Sequence, residues 1–155
     1  MTSLTLVRRI RARPAAVFAA LTSAEGIAHW WGPDAGPVLL AESDARVGGF
    51  FRVRFRMLDG SEHESTGHYL ELVAPKRVVM SWQWTVGGDP DEWGEVSRVV
   101  IELSPTDAGT ELTFTHERLK TEAARSSHER GWAGALHKLE HYLSDRDLKI
   151  KEHTS

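Results

Sequence analysis

The chain has 155 residues, a formal net charge of -3, 26% charged residues and no cysteine. That length buries the core of one domain and would leave two undersized. The lack of a basic field argues against nucleic acid as a partner, and the lack of thiols removes disulfides, thiolate metal sites and cysteine nucleophiles together.

From the start of the chain, Met1 to Ile10 puts Arg8 and Arg9 where an export signal needs its apolar centre, so a cytoplasmic chain is expected. No stretch approaches the roughly 20 apolar residues of a membrane span. Leu4 to Ala12 reads as a strand, and Pro14 stands where it can open a helix at its first turn. Thr22 or Ser23 is placed to cap a second short helix, which Gly32-Pro33 breaks after Trp30 and Trp31. The period then switches to two over Val38 to Glu42, Phe50 to Leu58, Thr66 to Val73, Arg77 to Trp84, Val96 to Leu103 and Thr110 to His116. Turn-forming residues stand between these runs, and such short links favour an antiparallel meander. Trp132, Ala135, Leu136, Leu139 and Leu143 recur at helical spacing, which predicts an amphipathic helix from about Glu122 to Ser144.

The expectation is therefore an α+β domain over residues 1–145 with a polar, frayed tail over 146–155. About seven antiparallel strands form one curved sheet, two short helices lie near the N-terminus, and the long C-terminal helix covers one face.

Alternation also gives a register, because a one-residue slip would expose a whole apolar set. The inward sets are Phe51, Val53, Phe55 and Met57; His68, Leu70 and Leu72; Met80, Trp82 and Trp84; Val99, Ile101 and Leu103; and Leu112, Phe114 and His116. In the first strand Arg8 shares a face with Leu4, Leu6 and Ile10 and needs a partner. A bent sheet cannot be filled to its centre by one helix of about 10 Å diameter, so bulky side chains or a ligand must occupy the gap. The ring-rich inward face, with Trp31 at the helical corner, serves either use.

Several polar residues could carry chemistry. Arg125 and His128 fall on the same helical stripe as Trp132 and Leu136, near the positive end of the last helix, where they could orient a ligand carboxylate or phenolate, or else Arg125 snorkels or pairs with a surface acid while His128 is half buried. His68 and His116 stand in inward registers with the same two readings. His137 and His141 have a four-residue spacing but lie opposite the apolar stripe without a third ligand, so no metal site and no cofactor are expected. Ser126 and Glu129 match a capping box. Asp89, Asp91, Glu92 and Glu95 surround Trp93 in the longest loop, either as a solvated acidic loop or as a flap with Trp93 as its key residue.

These residues together resemble the SRPBCC (START-like, helix-grip) superfamily, and within it the family named after the activator of heat-shock-protein ATPase. The similarity is carried by the Arg8 strand with Ala12-x-Pro14 and Val17-Phe18, Trp30-Trp31-Gly32-Pro33, Gly48-Gly49-x-Phe51, Asp59-Gly60, Gly67-x-Tyr69, Trp82, Gly109-Thr110-x-Leu112-Thr113, His116, and Gly131-Trp132 with Leu136 and Leu139. The resemblance implies a birch-pollen-allergen-like fold with a cavity between sheet and helix for a small apolar or amphipathic molecule.

The expected ligand-binding residues are Trp31, Phe51, Phe55, His68, Trp82, Trp84, Phe114, His116, Arg125, His128 and Trp132, in a monomer or weak homodimer. No catalytic set is recognisable. The alternatives are a cyclase, dehydratase or hydrolase using a pocket histidine, and a co-chaperone-like interaction module. Fold alone does not choose among these.

Overall fold

In the computed structural model, described over residues 2–154 with side chains as far as Ser144, the elements follow one another in the expected order. Strand β1 (Thr2–Ile10) leads into α1 (Pro14–Thr22) and α2 (Ala24–Trp30). Six strands follow: β2 (Val38–Ser43), β3 (Phe50–Arg56), β4 (Glu62–Val73), β5 (Arg77–Val86), β6 (Ser97–Thr106) and β7 (Gly109–Leu119). Helix α3 (Glu122–Thr154) closes the chain. It runs past Ser144, where the apolar repeat ends, and the side chains of the expected polar tail lie outside the described residues.

The strands form one antiparallel sheet in the order β1-β7-β6-β5-β4-β3-β2. Consecutive strands from β2 to β7 are neighbours, as short turns require. The V of α1 and α2 carries the chain from one edge strand to the other. Pro14 sits in the first turn of α1, where its missing N–H removes a donor that has no helical partner. Ser23 caps α2, its hydroxyl oxygen accepting from the Gly26 amide at 3.0 Å. The cap of α3 is Thr121, which accepts from the Ala124 amide at 3.0 Å; the capping box expected at Ser126 and Glu129 lies inside the helix.

The concave face of the sheet packs on α3. Phe51, Val53, Ile101, Leu112 and Phe114 are fully buried against Leu136 and Leu139 of the helix. Each such side chain contributes roughly 1.5–3 kcal/mol through removal from water. The predicted inward sets of β3, β5, β6 and β7 lie on this face. Arg8 is partly buried beside its apolar neighbours and donates to the Val7 carbonyl at 2.9 Å.

Strand β4 departs from the expected register. Gly67 and Tyr69 are buried, whereas His68 and Leu70 are exposed on the outer face. The pairing with β5 shifts between Glu64 and Ser65 and again between Tyr69 and Glu71, so the second irregularity returns Leu72 to the inner side. A bulge changes the parity of a strand, and alternation read through it puts the wrong residues inside. Tyr69 then completes a buried network: its hydroxyl lies 2.7 Å from that of Ser43, which donates to the Thr22 carbonyl at 2.5 Å. These bonds tie the end of α1 to β2 and β4.

Candidate functional site

A cavity of about 450 Å³ opens between one end of α3, the corner after α2 and the β5–β6 loop. The corner is built for close approach. Gly32 has φ 98°, a conformation that favours glycine, and a Cβ there would lie 3.4 Å from the Phe55 ring. Gly134 on α3 lies so near the Pro33 carbonyl that any Cβ would overlap it. Lys138 fixes the same corner, its ammonium donating to the carbonyls of Trp31 at 2.9 Å and Asp34 at 2.7 Å. Burial lowers the Lys138 pKa from its ordinary value, and the nearby Asp34 charge opposes that effect. Trp31 is thereby held against Trp132, with ring centroids 5.3 Å apart in an edge-to-face arrangement.

Trp82 and Trp84 project from β5 onto the same side of the sheet, because residues two apart on a strand share a face. Their centroids are 4.7 Å apart at 76°. Phe55 from β3, His63 from β4 and Trp132 from α3 complete the aromatic wall, while the exposed residues Asp89, Ser127 and Arg130 stand at the mouth. The indole nitrogens of Trp82 and Trp84 are buried, with no hydrogen-bond partner among the described residues.

The polar element of the wall is a pair linking the loop to the helix. His128 Nε2 donates to Glu92 Oε1 at 2.6 Å, and the two side chains are only 7% and 13% exposed. The imidazole stands edge-on to Trp82 at 5.0 Å and nearly parallel to Trp84 at 6.0 Å. Glu92 reaches it because Pro90–Glu92 forms a 3-10 turn, with the Asp89 side chain accepting from the Asp91 amide. The loop is anchored at its start, where Gly87 and Gly88 have φ 65° and 72° and the Gly88 amide donates to His63 Nδ1 at 2.8 Å. Trp93, the residue expected to act in a flap, is 60% exposed and points its indole N–H at the Gly87 carbonyl, 2.7 Å away. Glu92 lines the cavity, and Trp93 does not.

His116 lies behind the wall and is fully buried. Its Nδ1 accepts from the Trp132 indole at 2.9 Å, which leaves Nε2 to donate to Ser97 Oγ at 2.7 Å; that hydroxyl donates in turn to the Trp82 carbonyl at 3.2 Å. The relay fixes the neutral Nε2–H tautomer, since a proton on Nδ1 would face the Trp132 N–H. Burial pushes the His116 pKa well below its ordinary value, and the neighbouring His128 adds to the effect. His116 is thus the bond between helix and sheet, and its ring nitrogens are both occupied by protein.

Of the residues singled out from the sequence, Trp31, Phe55, Trp82, Trp84, His128 and Trp132 line the cavity. Phe51, Phe114 and His116 belong to the packed core. His68 lies on the outer face against Phe50, placed there by the β4 irregularities. Arg125 pairs on its own helix with Glu122 at 2.7 Å and Glu129 at 2.9 Å, the usual i,i+3 and i,i+4 geometry, and does not line the cavity. His137 and His141 are exposed with ring centroids 4.6 Å apart, and among the described residues no group of three or more His, Asp or Glu is placed to hold a metal.

Glu92, His63 and Met57 also line the cavity. The Asp89-Pro90 pair was the available signal for the turn that delivers Glu92, since an Asn or Asp cap followed by Pro opens a helical turn.

Among the described residues no helix is long and apolar enough to cross a membrane. No curated protein matches the sequence. Solved structures do. The Chromobacterium violaceum protein CV1439 is 27% identical with a TM-score of 0.80, over 91% of this chain and 96% of that one. The AHSA1 (SPO3351) protein from Silicibacter pomeroyi is 26% identical with a TM-score of 0.81, over 94% and 99% of the two chains. The Nitrosomonas europaea protein NE0264 is 26% identical with a TM-score of 0.75, over 93% and 95%. Residues 11–144 match the family described as activator of Hsp90 ATPase homolog 1-like protein, and the chain, with its helix-grip sheet and long C-terminal helix, belongs to that family.

Proposed function

We propose that the chain binds a small apolar or amphipathic molecule in the cavity between the sheet and α3. One observation carries the reading: a cavity of about 450 Å³ whose wall includes four tryptophans, Trp31, Trp82, Trp84 and Trp132. That size falls within the range of sites for small molecules, and apolar walls with few polar groups are their usual construction. Flat rings offer large contact area at little conformational cost. The indoles also report on the occupant, because a bound aromatic molecule alters their emission.

The test is solvent extraction of the purified protein with mass spectrometry of the extract, followed by a tryptophan-quenching screen of apolar compounds. A stoichiometric copurifying molecule, or saturable quenching by at least one compound, is expected. An empty extract together with no saturable response across the screen would refute the reading.

A further inference from the structure

We propose that the Glu92–His128 pair makes this cavity a site for hydroxyaromatic molecules, with the free Nδ1 of His128 accepting the proton of a phenolic or enolic hydroxyl. The proposal rests on the ligand-binding reading above and names the chemistry of the ligand. Its starting point is the tautomer. Glu92 Oε1 lies 2.6 Å from His128 Nε2, so the ring proton is committed to the carboxylate. A neutral imidazole with its proton on Nε2 carries a lone pair on Nδ1. Among the described residues Nδ1 of His128 has no hydrogen-bond partner, whereas in His63 and His116 both ring nitrogens are taken. His63 and His128 both line the cavity, and of the two only His128 has an open acceptor.

The carboxylate holds that acceptor in place. A histidine whose N–H is held by a carboxylate is fixed in orientation and in tautomer, so its other nitrogen is presented as an acceptor. Burial of both partners keeps water from weakening the arrangement. The surroundings select the rest of the ligand. Trp82 and Trp84 flank the imidazole, so a hydroxyl at Nδ1 places its carbon framework among indoles, where a flat ring packs best.

Charge disfavours an anion beside His128, since among the described residues the one cationic side chain that lines the cavity, Arg130, stands exposed at its mouth. A ligand carboxylate would meet Glu92, with Asp34 and Asp89 in the same wall. Two of these carboxylates are already engaged, Asp34 by the amides of Gly36 and Leu58 and Glu92 by His128. The buried indole N–H groups of Trp82 and Trp84 leave this wall short of acceptors, a lack that a ligand oxygen supplies.

The experiment is calorimetric titration of 2-naphthol and of its methyl ether, 2-methoxynaphthalene, into the wild-type chain and into His128→Phe. The ether keeps the rings and the oxygen but has no proton to give. We expect the wild type to bind 2-naphthol roughly ten- to a hundredfold more tightly than the ether, the range for one strong hydrogen bond to a buried partner. In His128→Phe that preference disappears while the ether still binds. Glu92→Gln keeps the acceptor but not the charge, and lowers the preference severalfold without touching ether binding.

Equal affinity of the wild type for both compounds would overturn the acceptor assignment and leave the cavity reading standing. A naphthol preference that survives in His128→Phe would likewise overturn it. Binding of neither compound would overturn the hydroxyaromatic assignment, and the extraction and quenching screen then decide the ligand-binding reading separately. The wild-type comparison alone decides the matter if either variant fails to fold.

Discussion

The His116 relay predicts a specific loss of stability in mild acid. The ring is fully buried, its Nδ1 accepts from Trp132 and its Nε2 donates to Ser97, so the folded state admits only the neutral form. Burial, reinforced by His128, depresses the folded-state pKa well below the ordinary value of about 6.5. The unfolded chain therefore takes up a proton that the folded chain refuses, and stability is lost as the pH falls below that unfolded value. Each pH unit in this range costs up to about 1.4 kcal/mol, and integration from pH 7.5 to 5.5 gives a total loss of about 1.4 kcal/mol from this group.

The comparison is His116→Asn, whose Oδ1 can still accept from Trp132 but does not titrate. It is expected to be less stable at pH 7.5 by roughly 1–3 kcal/mol, from the lost ring volume and the lost hydrogen bond to the Ser97 hydroxyl oxygen. Urea unfolding at both pH values should then show the wild type losing about 1.4 kcal/mol more than the variant on acidification. Equal losses in the two proteins would refute the neutral, locked tautomer.

Further outcomes follow from the packing of α3 and α2. Gly131→Ala should raise stability by up to about 1 kcal/mol, because its Cβ would meet only Pro33 Cβ at 3.7 Å and alanine favours a helix. Gly134→Ala on the same helix should lower the melting temperature despite the same propensity gain, since its Cβ overlaps the Pro33 carbonyl. Lys138→Met removes both donors from the Trp31 and Asp34 carbonyls and should cost roughly 1–3 kcal/mol in urea unfolding. Ser23→Ala, which deletes the acceptor for the Gly26 amide, should cost about 1 kcal/mol by the same assay.

Much of the architecture was legible because its causes are local. Pro14, Ser23 and Gly32-Pro33 punctuate the helices, and the apolar alternation of β3, β6 and β7 follows from burial of one face. The β4 register was not legible, because its irregularities interrupt alternation and Leu70 reads as an inward residue while lying exposed.

The candidate site divides in the same way. Trp82 and Trp84 share a face by strand geometry alone, and His128 shares a stripe with Trp132 by helix geometry alone. The Glu92–His128 pair spans 36 positions and depends on how a turn folds back over the sheet, which no local period records. His116 had the inward register of a pocket residue; only its two bonds, to Ser97 and Trp132, place it in the core behind the wall.

The central claim is that the cavity beside Trp82, Trp84 and Trp132 takes up a small molecule. Gly131 lines that cavity from α3, and a Cβ there would make only an ordinary contact with Pro33 Cβ at 3.7 Å, so Gly131→Phe is designed to put a ring where the ligand would lie. Calorimetric titration of 2-naphthol into the two proteins side by side is the most direct test. Saturable one-to-one binding by the wild type, abolished in a folded Gly131→Phe variant, is the predicted result; undiminished binding by the variant would contradict it.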